Sequence, residues 1–234
     1  WVLPDVRLSL SSISLSNSQL VGTIPASFFE LKECHFDRNQ LSGHICMPCD
    51  TPIASFDASA NNLSDWDHTC YNDDNCKPPV QIVSFNISNN PYCRGRLPKS
   101  LSDWISLAEF DVSECALSGT IPSLTNRDNS FVTQIQLLDF SGNNFTGTIP
   151  GDIGFLSELT HLDMSGNRLE QIIPQSICSL DLQSMKYCNI SKQRTSAQNS
   201  NSEEMPGPHN SRSACGSDSP PLRPFLERTR RIYR

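Results

Sequence analysis

IQLLDFSGNNFTGTIP, residues 135–150, fills every slot of the template L-x-x-L-x-L-x-x-N-x-L-x-G-x-I-P with Ile135, Leu138, Phe140, Asn143, Phe145, Gly147, Ile149 and Pro150. The stretch that follows does so again, with Leu159, Leu162, Met164, Asn167, Leu169, Ile173 and Pro174, and with Gln171 in the glycine slot. A period in the twenties of residues is the signature of a stacked-coil architecture, and it has to be traced before domains are counted.

Upstream, Leu107, Phe110, Val112, Cys115, Leu117, Gly119, Ile121 and Pro122 form another copy, with cysteine in the asparagine slot. Ile82, Phe85, Ile87, Asn90 and Tyr92 form the one before it, if one extra residue precedes Gly95, Leu97 and Pro98. Ile53, Phe56, Ala58, Asn61 and Leu63 make a copy that lacks the Gly-x-Ile-Pro half. Leu31, Cys34, Phe36, Asn39, Leu41, Gly43 and Ile45 precede it, and Leu10, Ile13, Leu15, Leu20, Gly22, Ile24 and Pro25 come first, with Ser18 in the asparagine slot. About seven copies result.

Each slot has a physical reason. The L-x-L alternation has period two, so alternate side chains point inward from a short strand and their neighbours point out. Asparagine at the bend supplies amide donors and an acceptor to backbone groups that stacking would bury, and Cys115 is small and apolar enough to stand in for it. Glycine permits a backbone conformation closed to other residues, and the Ile-Pro pair sets a stiff segment on the far side. A single coil cannot bury its apolar residues, so stacking is obligatory.

The strings VGTIP at Val21, LSGTIP at Leu117 and FTGTIP at Phe145 resemble the plant-specific leucine-rich repeats of receptor-like kinase ectodomains, receptor-like proteins and polygalacturonase-inhibiting proteins. The resemblance covers about seven tenths of the chain. It implies an α/β repeat solenoid: a right-handed arc with a parallel concave sheet and irregular or 3-10 convex segments. It further implies a module that recognises peptides, sugars or proteins, extracellular or at the cell surface. The predicted domain spans residues 1–190, with an insertion near 64–79 and a C-terminal cap over 175–190, followed by a disordered tail, 191–234. The tail is rich in Ser, Asn, Pro, Gly and charge, too poor in apolar residues to pack.

Composition narrows the partners. The net charge is -7, with acidic residues spread along the chain, which argues against nucleic acid. Ten cysteines suit an oxidising compartment, as do glycosylation sequons at Asn62, Asn86, Asn144 and Asn189. No apolar run is long enough to span a bilayer. The chain begins at Trp1 with the repeat running by Leu8, which favours a fragment of a longer protein.

The outward strand positions define the candidate ligand surface. Between the paired L slots stand Ser14, His35, Asp57, Asn86, Asp111, Asp139 and Asp163, beside a serine-rich column. Such columns suit a basic or hydroxyl-rich partner, and equally a scaffold in which Asp and Ser bond their neighbours. Residues that break the columns carry more information: Lys32, Glu33, His35, Asp37 and Arg38 in the second copy, Glu109 and Glu114 in the fifth, Gln136 in the sixth and His161 in the seventh.

His44, Cys46, Cys49, His68, Cys70 and Cys76 raise a zinc question, but disulfides are the expectation, with Cys70 and Cys76 as a short staple. Cys178 and Cys188 fall where the family carries a cap disulfide, and Cys34 is expected as a buried thiol. No catalytic triad order, phosphate loop or H-E-x-x-H string occurs, so neither an enzyme nor a cofactor is expected. Three functions follow: a receptor-like recognition module binding a protein, peptide or glycan, a secreted inhibitor of a cell-wall hydrolase, or a wall-associated structural repeat.

Overall fold

The structure is a computed structural model that describes residues 10–47, 50–66, 79–125, 134–170, 172–180, 185–191 and 193. The inserted residues 67–78 and the tail beyond 193 lie outside the described residues.

Strands are numbered in chain order. The L-x-L segments form β1 (Ser12–Ser14), β3 (Glu33–His35), β5 (Ser55–Asp57), β7 (Ser84–Asn86), β9 (Glu109–Asp111), β11 (Leu137–Asp139), β13 (His161–Asp163) and β15 (Tyr187–Asn189). They pair in parallel, each with the next coil's equivalent, into one eight-stranded sheet. Register is strict: Phe56 faces Phe85, Phe85 faces Phe110, and Leu138 faces Phe110 and Leu162. Inward side chains therefore stack in one column and outward ones in another.

A second parallel sheet was not foreseen from the template. The segments after the bend form β2 (Val21–Gly22), β4 (Gln40–Ile45), β6 (Asn62–Trp66), β8 (Arg94–Gly95), β10 (Ala116–Gly119), β12 (Asn144–Gly147) and β14 (Arg168–Leu169), in sequence order across the sheet. The x-L-x-G string has its own period-two alternation, which is why it ladders instead of forming an irregular turn. On the convex side the chain makes 3-10 turns at Ala26–Glu30, Lys99–Asp103, Gly151–Phe155 and Gln175–Ser179. Each begins behind the proline of Ile-Pro or Leu-Pro, whose φ stays near −60° and which has no N–H to give. Among the described residues the helical component of the α/β class is entirely 3-10.

One continuous apolar interior runs through the coils. Its spine is aromatic: Phe29, Phe56, Phe85, Phe110 and Phe140 succeed one another at 5.2, 5.6, 5.7 and 5.8 Å between ring centroids. Trp66 stacks on Phe85 at 5.1 Å and Trp104 meets it edge-on at 5.5 Å.

Three departures from the template resolve here. In the third coil Trp66 takes the isoleucine position, facing Ile45 after a register shift at Gly43 and His44. In the fourth, Tyr92 is 62% exposed and Cys93 is fully buried, so Cys93 and not Tyr92 holds the leucine slot. The extra residue lies in a tight turn closed by the Cys93 amide donating to the Asn90 carbonyl at 2.9 Å.

The third departure is at the C-terminal end. Met185, Cys188, Ile190 and Gln193 occupy the L, L, L and N slots of an eighth coil, where a cap was expected. Gln193 bonds backbone as the asparagines do, donating to the Met164 carbonyl at 3.0 Å and accepting from the Leu169 amide at 3.0 Å.

Candidate functional site

The concave face is built from three outward columns. The central one runs Ser14, His35, Asp57, Asn86, Asp111, Asp139, Asp163 and Asn189, each paired to the next in register. From Asp57 onward one side-chain oxygen accepts the amide of the residue two ahead, Ser59, Ser88, Ser113, Ser141, Ser165 and Ser191, at 2.9, 2.9, 2.9, 2.9, 2.8 and 3.2 Å. This bond holds the corner where the strand bends. The Asp and Ser columns are thus scaffold first, as the plainer reading had it, while the second carboxylate oxygen of Asp111 and of Asp139 is not spent on that corner.

Stacking three carboxylates on adjacent strands has an electrostatic consequence. Burial, followed by the charge on Asp111, pushes the Asp139 carboxyl up to about 7, against the bonds from Ser141 and with a further push from Asp163. Burial likewise raises Asp57, where bonds from Ser59 oppose it. A cation placed over Asp111 and Asp139 would relieve this repulsion.

The flanking column reads Ser12, Glu33, Ser55, Ser84, Glu109, Leu137, His161 and Tyr187. Glu109 is exposed and accepts a bond from Ser84 Oγ at 3.1 Å. At the C-terminal end His161 and Tyr187 stack with centroids 4.5 Å apart and planes 13° from parallel. Tyr187 donates its hydroxyl to Asp163 Oδ2 at 2.8 Å, and Asn189 donates to the same oxygen at 3.4 Å. Burial pushes the His161 pKa down, partly offset by Asp163 and Asp111, and burial together with Asp163 pushes the Tyr187 hydroxyl up to about 12. His161 therefore presents a neutral ring, and Tyr187 beside it a neutral phenol.

The candidate residues fall into two groups. Lys32, Glu33, His35, Asp37 and Arg38 sit together on the second coil, where Asp37 Oδ1 accepts from Ser16 Oγ. Glu109, Asp111, Asp139, His161 and Asp163 form a contiguous patch over β9, β11 and β13, with Gln136 immediately before β11 and Glu114 at the corner after β9. The two are separated by the serine, aspartate and asparagine of β5 and β7, about 14 Å at the usual strand spacing. Tyr187 and Asn189 extend the second group; Tyr187 was not foreseen and Asn189 was expected only as a glycosylation site, because the eighth coil that carries them was not recognised.

Arg38 and Glu114 differ from the rest. They stand at the αL corner of their coils, with φ of 56° and 50°, in a column that continues to Gly142 and Gly166. A Cβ added at Gly142 would come within 2.5 Å of the Glu114 carboxylate, so glycine there is what lets the Glu114 side chain lie across the corner.

Of the sequons, Asn62 is exposed on β6 and Asn144 half-buried on β12, whereas Asn86 and Asn189 are half-buried within the concave face. Asn189 spends its amide nitrogen on Asp163 and the Tyr187 hydroxyl. Cys34 is the buried thiol expected, donating to the Phe28 carbonyl at 3.1 Å and pushed up to about 12 by burial. Cys46 is disulfide-bonded.

Cys188, expected to pair with Cys178, carries a free thiol. It occupies the inward slot of β15 opposite Leu162, so its side chain is committed to the interior. The Cys178 side chain, Cys49, His68, Cys70 and Cys76 lie outside the described residues. Among the described residues no group of His, Cys, Asp and Glu is arranged to hold a metal ion, and no helix is long and apolar enough to cross a membrane.

Comparison with known proteins agrees with this geometry. The family model described as Leucine Rich Repeat matches residues 9–31, 134–156 and 158–180. No curated protein matches the chain. The solved plant peptide hormone receptor RGFR1 in complex with RGF2 is similar at 28% identity and a TM-score of 0.66, over 78% of this chain and 28% of that one. The Arabidopsis receptor kinase HAESA, in complex with the peptide hormone IDA and the co-receptor SERK1, is similar at 26% identity and a TM-score of 0.61, over 76% and 28%. The structure of PEPR1–AtPEP1 is similar at 25% identity and a TM-score of 0.63, over 76% and 24%. The chain thus spans about a quarter of the length of each of these receptors.

Proposed function

We propose that this chain, whose repeats match the Leucine Rich Repeat model and whose fold is similar to that of plant receptor structures, acts as a recognition module that binds a peptide or protein ligand along its concave strand face. The observation that carries the reading is the patch over β9, β11, β13 and β15. Exposed Glu109, the crowded carboxylates of Asp111 and Asp139, and the His161–Tyr187 stack there form a surface with more side-chain chemistry than the corner bonds of the coils consume. The carboxylates of Glu109, Asp111 and Asp139 favour a ligand bearing a basic or hydroxyl-rich group, and a stacked aromatic pair favours one with a flat or apolar residue beside it. Solved receptors of the same fold were captured with peptide hormones.

In this reading the module works outside the cell, Asn62 carries a glycan, and no step of catalysis is assigned to the chain. Pull-down from plant extracellular fluid on the immobilised chain tests it. Recovery of a peptide or receptor, released by a competing soluble copy, supports the proposal. Inhibition of a secreted wall hydrolase instead assigns the chain to the inhibitors, and capture of neither leaves a structural repeat.

A further inference from the structure

Two departures from the repeat meet at one point. Cys93 takes a leucine slot in the fourth coil and Cys115 takes the asparagine slot in the fifth. The residues that follow them, Arg94 and Ala116, are register partners on parallel β8 and β10, and the Ala116 amide donates to the Cys93 carbonyl at 2.9 Å. Both cysteines are buried free thiols in this structure, the Cys93 thiol lies against Cys115, and Cys115 Sγ donates to the Ile87 carbonyl at 3.3 Å. From this juxtaposition we infer that Cys93 and Cys115 close a disulfide that staples the fourth coil to the fifth.

The reason lies in what the fifth coil lacks. In its neighbours the slot asparagine accepts the amide of the preceding coil's leucine position, as Asn90 does from Leu63 at 3.0 Å and Asn143 from Leu117 at 3.0 Å. Cys115 has no carbonyl oxygen to offer, and here none is needed, because the Cys93 amide is satisfied within its own coil by Asn90. The extra residue between Asn90 and Cys93 thus makes the asparagine dispensable at a coil junction where both facing positions are cysteine. Neighbouring strands stand about 4.8 Å apart, within the roughly 4.4–6.8 Å between Cα atoms that a disulfide spans.

The chemistry is thiol–disulfide exchange with a small-molecule disulfide such as oxidised glutathione. One cysteine thiolate attacks a sulfur of that reagent, forming a mixed disulfide and expelling one small thiol. The second thiolate attacks the protein sulfur and expels the other. The two protons given up by the cysteines leave on the two released thiols, so two protein thiols and one disulfide become one protein disulfide and two thiols. Contact with Cys115 and then burial push the Cys93 thiol upward, which keeps exchange slow once the coils have closed. The bond therefore forms as the coils stack.

Refolding the reduced full chain in a buffer of reduced and oxidised glutathione, alkylating, and mapping proteolytic fragments tests this. The expected result is a fragment pair joined through Cys93 and Cys115, with both missing from the alkylated pool. Cys115→Asn restores the usual slot residue and should fold; in it Cys93 becomes alkylated once the chain is denatured. Alkylation of both thiols when the oxidised parent chain is denatured without reduction overturns the inference, as does a Cys93 that stays blocked in denatured Cys115→Asn.

Discussion

The side-chain oxygen of Gln193 accepts the Leu169 amide at 3.0 Å, the bond that Asn167 makes to the Phe145 amide one coil earlier, also at 3.0 Å. The longer side chain reaches the same groups from a half-buried position at the end of the array. Asn167 is fully buried, and its amide nitrogen donates to three carbonyls, those of Phe140, Met164 and Ser165. Removing it strands several polar groups without water, whereas removing Gln193 leaves groups that solvent can reach. Asn167→Ala is therefore expected to cost roughly 3 kcal/mol and Gln193→Ala roughly 1 kcal/mol. Urea midpoints of the two variants check the order; equal losses would contradict the ladder.

Leu138 lies in the central inward column, fully buried between Phe110 and Leu162. Both neighbours are held by their own strands and cannot collapse into a void. Leu138→Ala is expected to cost about 2–5 kcal/mol, read as a shift of the denaturant midpoint. A midpoint unchanged from the parent would place this side chain outside the core.

Ala60 adopts φ of 53°, a conformation that L residues resist and glycine does not. Two later coils use Gly142 and Gly166 at the same corner. Ala60→Gly should therefore stabilise the chain by about 1 kcal/mol, since relief of the left-handed conformation outweighs the added freedom of the unfolded chain. Thermal unfolding followed by circular dichroism measures it, and a lowered Tm would refute the assignment.

Asp139 titrates near 7 in the folded chain because burial and Asp111 disfavour its charge. A folded pKa above the unfolded value means that the folded state holds the extra proton between roughly pH 4 and 7. The stabilisation is complete below that window and is lost as pH rises through it. Asp139→Asn, which copies Asn86 in the same column and keeps an acceptor for Ser141, should flatten the decline in Tm between pH 4 and 7. An unchanged pH profile would mean that Asp139 is charged throughout.

The sequons separate by geometry. Asn62 is exposed on the second sheet, while the Asn189 amide is already bonded on the concave face. Expression in a glycosylating host should add a glycan at Asn62 and leave Asn189 bare, as peptide mass mapping reads directly.

Most of the fold was legible in sequence because it rests on repetition. Coils that keep apolar residues and Asn in their slots, such as those at Leu138 and Leu162, are readable from residue type alone. What escaped did so for identifiable reasons. Cys93 was hidden because a one-residue insertion shifts the register, and Tyr92, the more apolar-looking neighbour, drew the slot away. The eighth coil was hidden because Cys188 and Gln193 replace the diagnostic Leu and Asn while keeping their functions. The site was legible as columns but not as a patch. That His161 would stack on Tyr187, and that Asp139 would be crowded by Asp111, depend on register between coils that no single repeat encodes.

The central claim is that the concave patch over β9 to β15 receives the ligand. Affinity of a ligand recovered from extracellular fluid should be measured by calorimetry on the parent chain, on Glu109→Lys, and on Arg168→Glu, whose exposed side chain lies on the second sheet. The account predicts a loss of about tenfold or more for Glu109→Lys, as reversing a charge facing a basic ligand costs over 1 kcal/mol, with Arg168→Glu unchanged. Equal affinity in parent and Glu109→Lys, with binding lost in Arg168→Glu, would place the ligand on the other sheet and contradict the account.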